Sequence, residues 1–135
     1  MGQQQLLLII LGVIVVGIAV AVGITMFSDN AVSANKDAVT NDLVNLASRA
    51  QQFYRRPTAL GGGQGSFVIL TADVAGLAKL TSKATNSNGT YKIKTAGTAT
   101  QVVLNGLGTE KGTDGNALNI DMTVLADSTS VTFNN

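Results

Sequence analysis

Leu6 to Phe27 reads LLLIILGVIVVGIAVAVGITMF, an apolar stretch of 22 residues with no charge and no proline. Wound as a helix it spans roughly 33 Å, the depth of a bilayer's hydrocarbon core. Only a helix or a closed barrel satisfies its own backbone in lipid, and one continuous run of this kind is no barrel strand. The remaining chain is too small to wrap such a cylinder on all sides as a soluble core helix would require. The pattern therefore predicts a transmembrane or filament-core helix over 6–27, preceded by a short polar leader at 1–5.

From Ser28 to Arg56 the sequence has neither Gly nor Pro, and the pattern turns amphipathic. Val32, Val39, Leu43, Leu46, Ala50 and Phe53 recur at a spacing of three to four and form one stripe. Asp37, Asn41, Asp42, Asn45, Arg49 and Gln52 fall largely on the other faces. Arg55 and Arg56 suit a helix C-terminus, and Pro57 disfavours helix at the residue before it. An amphipathic continuation over 28–56 follows. Ser28-Asp29-Asn30 is the one place suited to a kink or a fresh N-cap.

Past Pro57 the period changes from helical to alternating. Gly61-Gly62-Gly63-Gln64-Gly65 lacks the Lys-Ser/Thr of a phosphate loop and reads as a flexible linker or turn. Ser66–Leu70 reads as a short strand, and Asp73–Leu80 as about two helical turns. Asn86-Ser87-Asn88-Gly89 is a turn signal, and Thr90–Thr95 with Thr98–Asn105 reads as a hairpin about Ala96-Gly97. Asn116–Ala126 alternates, with Leu118, Ile120, Met122 and Val124 on one face. Asp127-Ser128 then turns into a last strand, Ser130–Phe133.

Such strands make a small antiparallel sheet whose apolar face needs a cover. The stripe Val39, Leu43, Leu46, Ala50 and Phe53 is the available one. A free-standing sandwich on a stalk is the alternative, but the strands are few for two sheets. The fold class is thus α+β, a long N-terminal helix packed against a β-rich head at 57–135.

Composition narrows the function. Nine Lys and Arg are dispersed over 135 residues, the net charge is +1 and aromatics are scarce, so no nucleic-acid partner is indicated. The chain has no Cys and no His, which removes thiol chemistry, the commonest general base and the commonest metal ligand. The expectation is no enzyme and no cofactor. Glu110, Asp114 and Asp121 are the sole carboxylates with a claim to bind Ca²⁺, but their spacing fits no EF-hand and Lys111 opposes it. Asn88-Gly89-Thr90 matches a glycosylation sequon, though turn chemistry accounts for the same Asn-Gly.

Within the apolar run, Gly12, Gly17, Ala19, Ala21 and Gly23 recur among branched residues. Gly17/Ala21 and Ala19/Gly23 are small-xxx-small pairs, the pattern that lets helix backbones approach closely.

A short leader ending in Gly2, an immediate apolar helix over Leu6–Phe27, an amphipathic stripe through Phe53 and a small β-rich C-terminal domain together resemble the type IV pilin-like superfamily. The resemblance implies cleavage between Gly2 and Gln3, storage in the cytoplasmic membrane, and extraction by a pilus assembly machinery into an extracellular homopolymer. The chain departs from the family's usual pattern in carrying Gln3 and Leu7 where Phe or Met and Glu are common, and in lacking a Cys pair. The expected function is that of a filament subunit. A secretion-system pseudopilin and a membrane-anchored monomeric binding domain are the alternatives.

Overall fold

The computed structural model describes residues 2–135. Helix α1 runs from Gly2 to Arg55, 54 residues without interruption. Ser28, Asp29 and Asn30 sit inside it, so the point suited to a kink is ordinary helix. Three weak helix formers cost at most roughly 0.7 kcal/mol each, too little to break a helix already formed on both sides. A short 3₁₀ turn (Thr58–Leu60) and helix α2 (Val74–Ala78) lead into strands β1 (Gly89–Thr95), β2 (Gln101–Lys111), β3 (Ala117–Leu125) and β4 (Thr129–Phe133). The strands form one antiparallel sheet in the order β1-β2-β3-β4. The architecture is α+β.

The sheet lays one face on the second half of α1, mainly through β2 and β3. Alternation along the strands supplies that face: Tyr91 and Ile93 from β1, Val102 and Leu104 from β2, and Leu118, Ile120, Met122 and Val124 from β3, all buried. Val39, Leu43 and Ala50 of α1 are fully covered, and Leu46, Ala47 and Phe53 nearly so. Close approach depends on Gly106, in mid-β2, where an added Cβ would lie 2.7 Å from Val39 Cγ1. At Gly108 a Cβ would strike the side-chain oxygen of Asn35.

Apart from shifts in element bounds, two segments depart wholly or in part from the sequence reading. Ser66–Leu70 is not a strand; it closes into a turn in which Leu70 N–H donates to Phe67 C=O at 2.8 Å. Phe67 and Leu70 are both buried while Val68 and Ile69 are exposed, a spacing of three that a two-residue alternation cannot produce. Of the two readings of the glycine-rich segment, the turn holds and the flexible linker does not. Gly63, Gly65 and Gln64 donate N–H groups to the carbonyls of Phe53, Tyr54 and Arg56 at 2.8, 2.7 and 3.0 Å. These are among the last carbonyls of a helix, which have no partner within it. The segment is the C-terminal cap of α1, and Gly62 and Gly63 are buried in consequence.

Hydrogen bonds outside the sheet fix the head along α1. Asn35 Nδ2 donates to Asn88 C=O at 2.8 Å, and its Oδ1 accepts from Glu110 N–H at 3.2 Å. Arg49 Nη1 donates to Leu80 C=O at 3.1 Å, and Gln51 Nε2 to Leu125 C=O at 3.1 Å. Asp42 Oδ2 accepts from Asn86 Nδ2, Asn88 Nδ2 and Tyr91 Oη at 2.8, 2.9 and 2.5 Å. These contacts pin the β1 side of the head to the helix.

Burial pushes the Asp42 pKa up, but the hydrogen bonds from Asn88, Tyr91 and Asn86 outweigh it, and the net shift is downward. Folding thus favours the carboxylate, and its contribution is complete above the ordinary value of 3.8 and lost as pH falls through the folded value. Asp42→Asn, in a chain of residues 28–135, is expected to flatten the acid limb of stability against pH. The check is Tm across the acid range. Curves that stay parallel into strong acid would exclude this role for Asp42.

Candidate functional site: the exposed apolar half of α1

The head's cover over α1 ends at Ala31 and Val32, which are half-buried. Every residue from Gly2 to Asn30 is exposed, a naked length of roughly 43 Å at 1.5 Å per residue. Its most apolar stretch has a mean hydropathy of 3.2 and none of it is buried. Leu7, Leu8, Ile9, Val13, Ile24 and Phe27 are each more than 60 % exposed. Soluble monomers rarely expose contiguous apolar patches beyond a few hundred Å². Larger patches mark protein–protein or membrane contacts, and the helix is long and apolar enough to span a membrane.

The backbone suits either surrounding. All its interior N–H and C=O groups are paired within the helix, and the sole hydroxyl in the run is internally satisfied too. Thr25 Oγ1 donates to Ala21 C=O at 3.0 Å and Val22 C=O at 2.9 Å. No titratable group lies between Gln3 and Ser28. The segment can move between two apolar surroundings with no polar group to desolvate afresh.

The structure places the small residues on this free half. Gly12, Gly17, Ala19, Ala21 and Gly23 are exposed, and a Cβ added at any of the three glycines meets nothing within 4 Å. No contact within the chain therefore requires glycine there. Gly2 and Gln3 lie exposed in the first turn of α1. The five stripe residues lie in the core at the other half, Val39 0 %, Leu43 0 %, Leu46 6 %, Ala50 0 % and Phe53 3 % exposed.

The remaining candidates are dispersed. Glu110 is the penultimate residue of β2, Asp114 in the β2–β3 turn bonds Asn116 and Asn135, and Asp121 sits in mid-β3 on the outer sheet face. Among the described residues no cluster of three acidic side chains forms that would hold a metal. Asp121 is instead engaged with Lys94, Asn105 and Asn134. Asn88 keeps its turn, and the Nδ2 that a glycan would take donates to Asp42. A polar cleft of about 480 Å³ lies beside Asp42, Arg49, Lys83 and Tyr91. Its carboxylate is already bonded to three partners. Sequence reasoning missed Asn35, which sits on the buried stripe as a polar residue one turn before Val39; that position was its signal.

No protein-family model, curated protein or solved structure matches this chain.

Proposed function

We propose that the chain is the structural subunit of an extracellular type IV pilus-like filament. One observation carries the reading: a single uninterrupted helix is wholly naked over Gly2–Asn30 and built into a folded head over Val39–Phe53. In the cytoplasmic membrane the naked half is solvated by lipid; in the filament it is solvated by the same half of neighbouring subunits. Transfer between the two changes little in desolvation, so packing of small residues and tight side-chain contacts decides the outcome. Head-to-tail contacts whose rotation does not close into a ring propagate as a fibre. The heads, with their polar outer sheet face, form the outer surface. Release of the leader after Gly2 would start the mature subunit at Gln3, as the resemblance to pilins implies.

The test is electron microscopy of material sheared from cells, with the subunit identified by peptide mass spectrometry. Long fibres of this one chain are the expected result. Protein that never leaves the membrane fraction would make it an anchored monomer, and fibres that stay within the envelope would make it a pseudopilin.

A further inference from the structure

Resting only on the membrane-embedded state of the reading above, we infer that the cleft where α1 enters the head holds the phosphate of one anionic phospholipid. Lys36 and Lys111 are the groups that take it, and they seat the head on the bilayer surface.

The cleft has a volume of about 360 Å³. Ser28, Asp29, Ser33 and Lys36 line it from the helix, and Lys111 and Thr113 from the end of β2 and the β2–β3 turn. Its depth in a membrane follows from the free half of α1. With Leu6–Phe27 in the hydrocarbon core, Ser28 is the first residue outside it and Lys36 stands roughly 13 Å beyond Phe27. The headgroup layer is about 5–7 Å deep on each side, and a lysine stem is long enough to carry its ammonium back into it.

The two lysines are brought together by the fold. Glu110 N–H donates to Asn35 Oδ1 at 3.2 Å, a bond between the residues immediately before Lys111 and Lys36. The turn beside Lys111 is closed, with Gly112 N–H donating to Asn116 C=O at 2.7 Å and Asn135 Nδ2 to Ala117 C=O at 3.0 Å. Lys36 is held by the Phe133 ring, whose centre lies 4.1 Å from its Nζ. A ring face occupies one side of an ammonium and leaves N–H groups to donate elsewhere. Neither lysine has a carboxylate partner, since Lys94–Asp121 is the one ion pair among the described residues. Asp29 lines the same cleft unpaired, while Asp37 and Glu110, next in sequence to the lysines, do not line it.

Two ammonium groups and one carboxylate leave the cleft with a net charge of +1. That complements a phosphodiester with a single negative charge better than a headgroup carrying its own ammonium. The hydroxyls of Ser28, Ser33 and Thr113 are further donors. A free anion would gain little from two lysines open to water, where charges are screened. A lipid phosphate is different, because insertion of the helix holds it at the cleft and makes the contact effectively intramolecular.

The experiment is native mass spectrometry of the full chain, purified from membranes in detergent and titrated with dioleoylphosphatidylglycerol or dioleoylphosphatidylcholine. One phosphatidylglycerol is expected to be retained, with a preference on the order of ten-fold over phosphatidylcholine. Lys36→Gln and Lys111→Gln are each expected to lower that preference roughly five-fold, the weight of one lysine at an anionic surface. Asp29→Asn should raise it, and Lys36→Arg and Lys111→Arg, which keep the charge, should retain it. Equal retention of the two lipids, or a preference that survives both glutamine substitutions, would overturn the inference. Displacement of the lipid by millimolar inorganic phosphate would overturn it too, because the cleft would then take the free anion. A chain that keeps the lipid but forms no fibres would uphold the inference and remove the filament reading; fibres from a chain without lipid preference would do the reverse.

Discussion

Phe53→Ala is expected to cost the head about 3–5 kcal/mol, the range for removing a fully buried aromatic side chain. Phe53 is 3 % exposed, and its ring touches the point where the glycine-rich cap returns, since a Cβ on Gly63 would lie 3.1 Å from Phe53 Cε1. The substitution thus opens a cavity at the joint between the helix end, its cap and the sheet. Small domains are stable by only about 5–15 kcal/mol in total, so the loss is a large share. For a domain of this size about 3 kcal/mol moves Tm by roughly 12–24 °C. The measurement is thermal unfolding of residues 28–135, a span that retains every buried residue of α1 from Asn35 onward. An unchanged Tm would show that the sheet is stable without the helix, contrary to a core shared between them. A chain that begins after Pro57 should fail to fold for the same reason, because seven of the buried positions belong to α1.

Both halves of α1 were legible in the sequence because their signals are one-dimensional. An uncharged run from Leu6 to Phe27 and a stripe from Val39 to Phe53 need no knowledge of what they touch. Strands β1, β3 and β4 were legible for the same reason, since alternation repeats over neighbouring residues. Strand β2 runs from Gln101 to Lys111 against the expected Thr98–Asn105, since Gly106 and Gly108 carry no side chain by which alternation is read. Only against α1 do they become places where an added side chain would strike Val39 or Asn35. The cap at Gly62–Gly65 was hidden likewise, for its partners are carbonyls, which no side-chain pattern records. Ser66–Leu70 looked like a strand because Phe67, Val68, Ile69 and Leu70 are all β-prone, but burial selects the two that a turn presents. The Asp42 network joins residues more than 40 positions apart in sequence, beyond the reach of any local rule.

The free half of α1 poses a different question, since nothing in the chain explains its glycines. A Cβ at Gly17 meets nothing within 4 Å, so the isolated subunit is indifferent to a larger side chain there. Gly17→Leu is accordingly expected to leave the Tm of the head unchanged. It also makes the segment more apolar, so membrane insertion should survive or improve. Glycine in a helix interior carries a penalty of roughly 1 kcal/mol against better helix formers, so the monomer gains by the exchange. A loss can arise only where another helix lies against this face. There an added side chain overpacks a close contact at about 1–3 kcal/mol per site. Because each subunit of a polymer carries the change, the penalty recurs at every repeat of the fibre. The expected result is a large fall in sheared extracellular protein relative to membrane-retained protein, with head stability and membrane content intact. Equal filament yields from variant and wild type would place Gly17 on the outside of the bundle and move the close contact to another face of the helix.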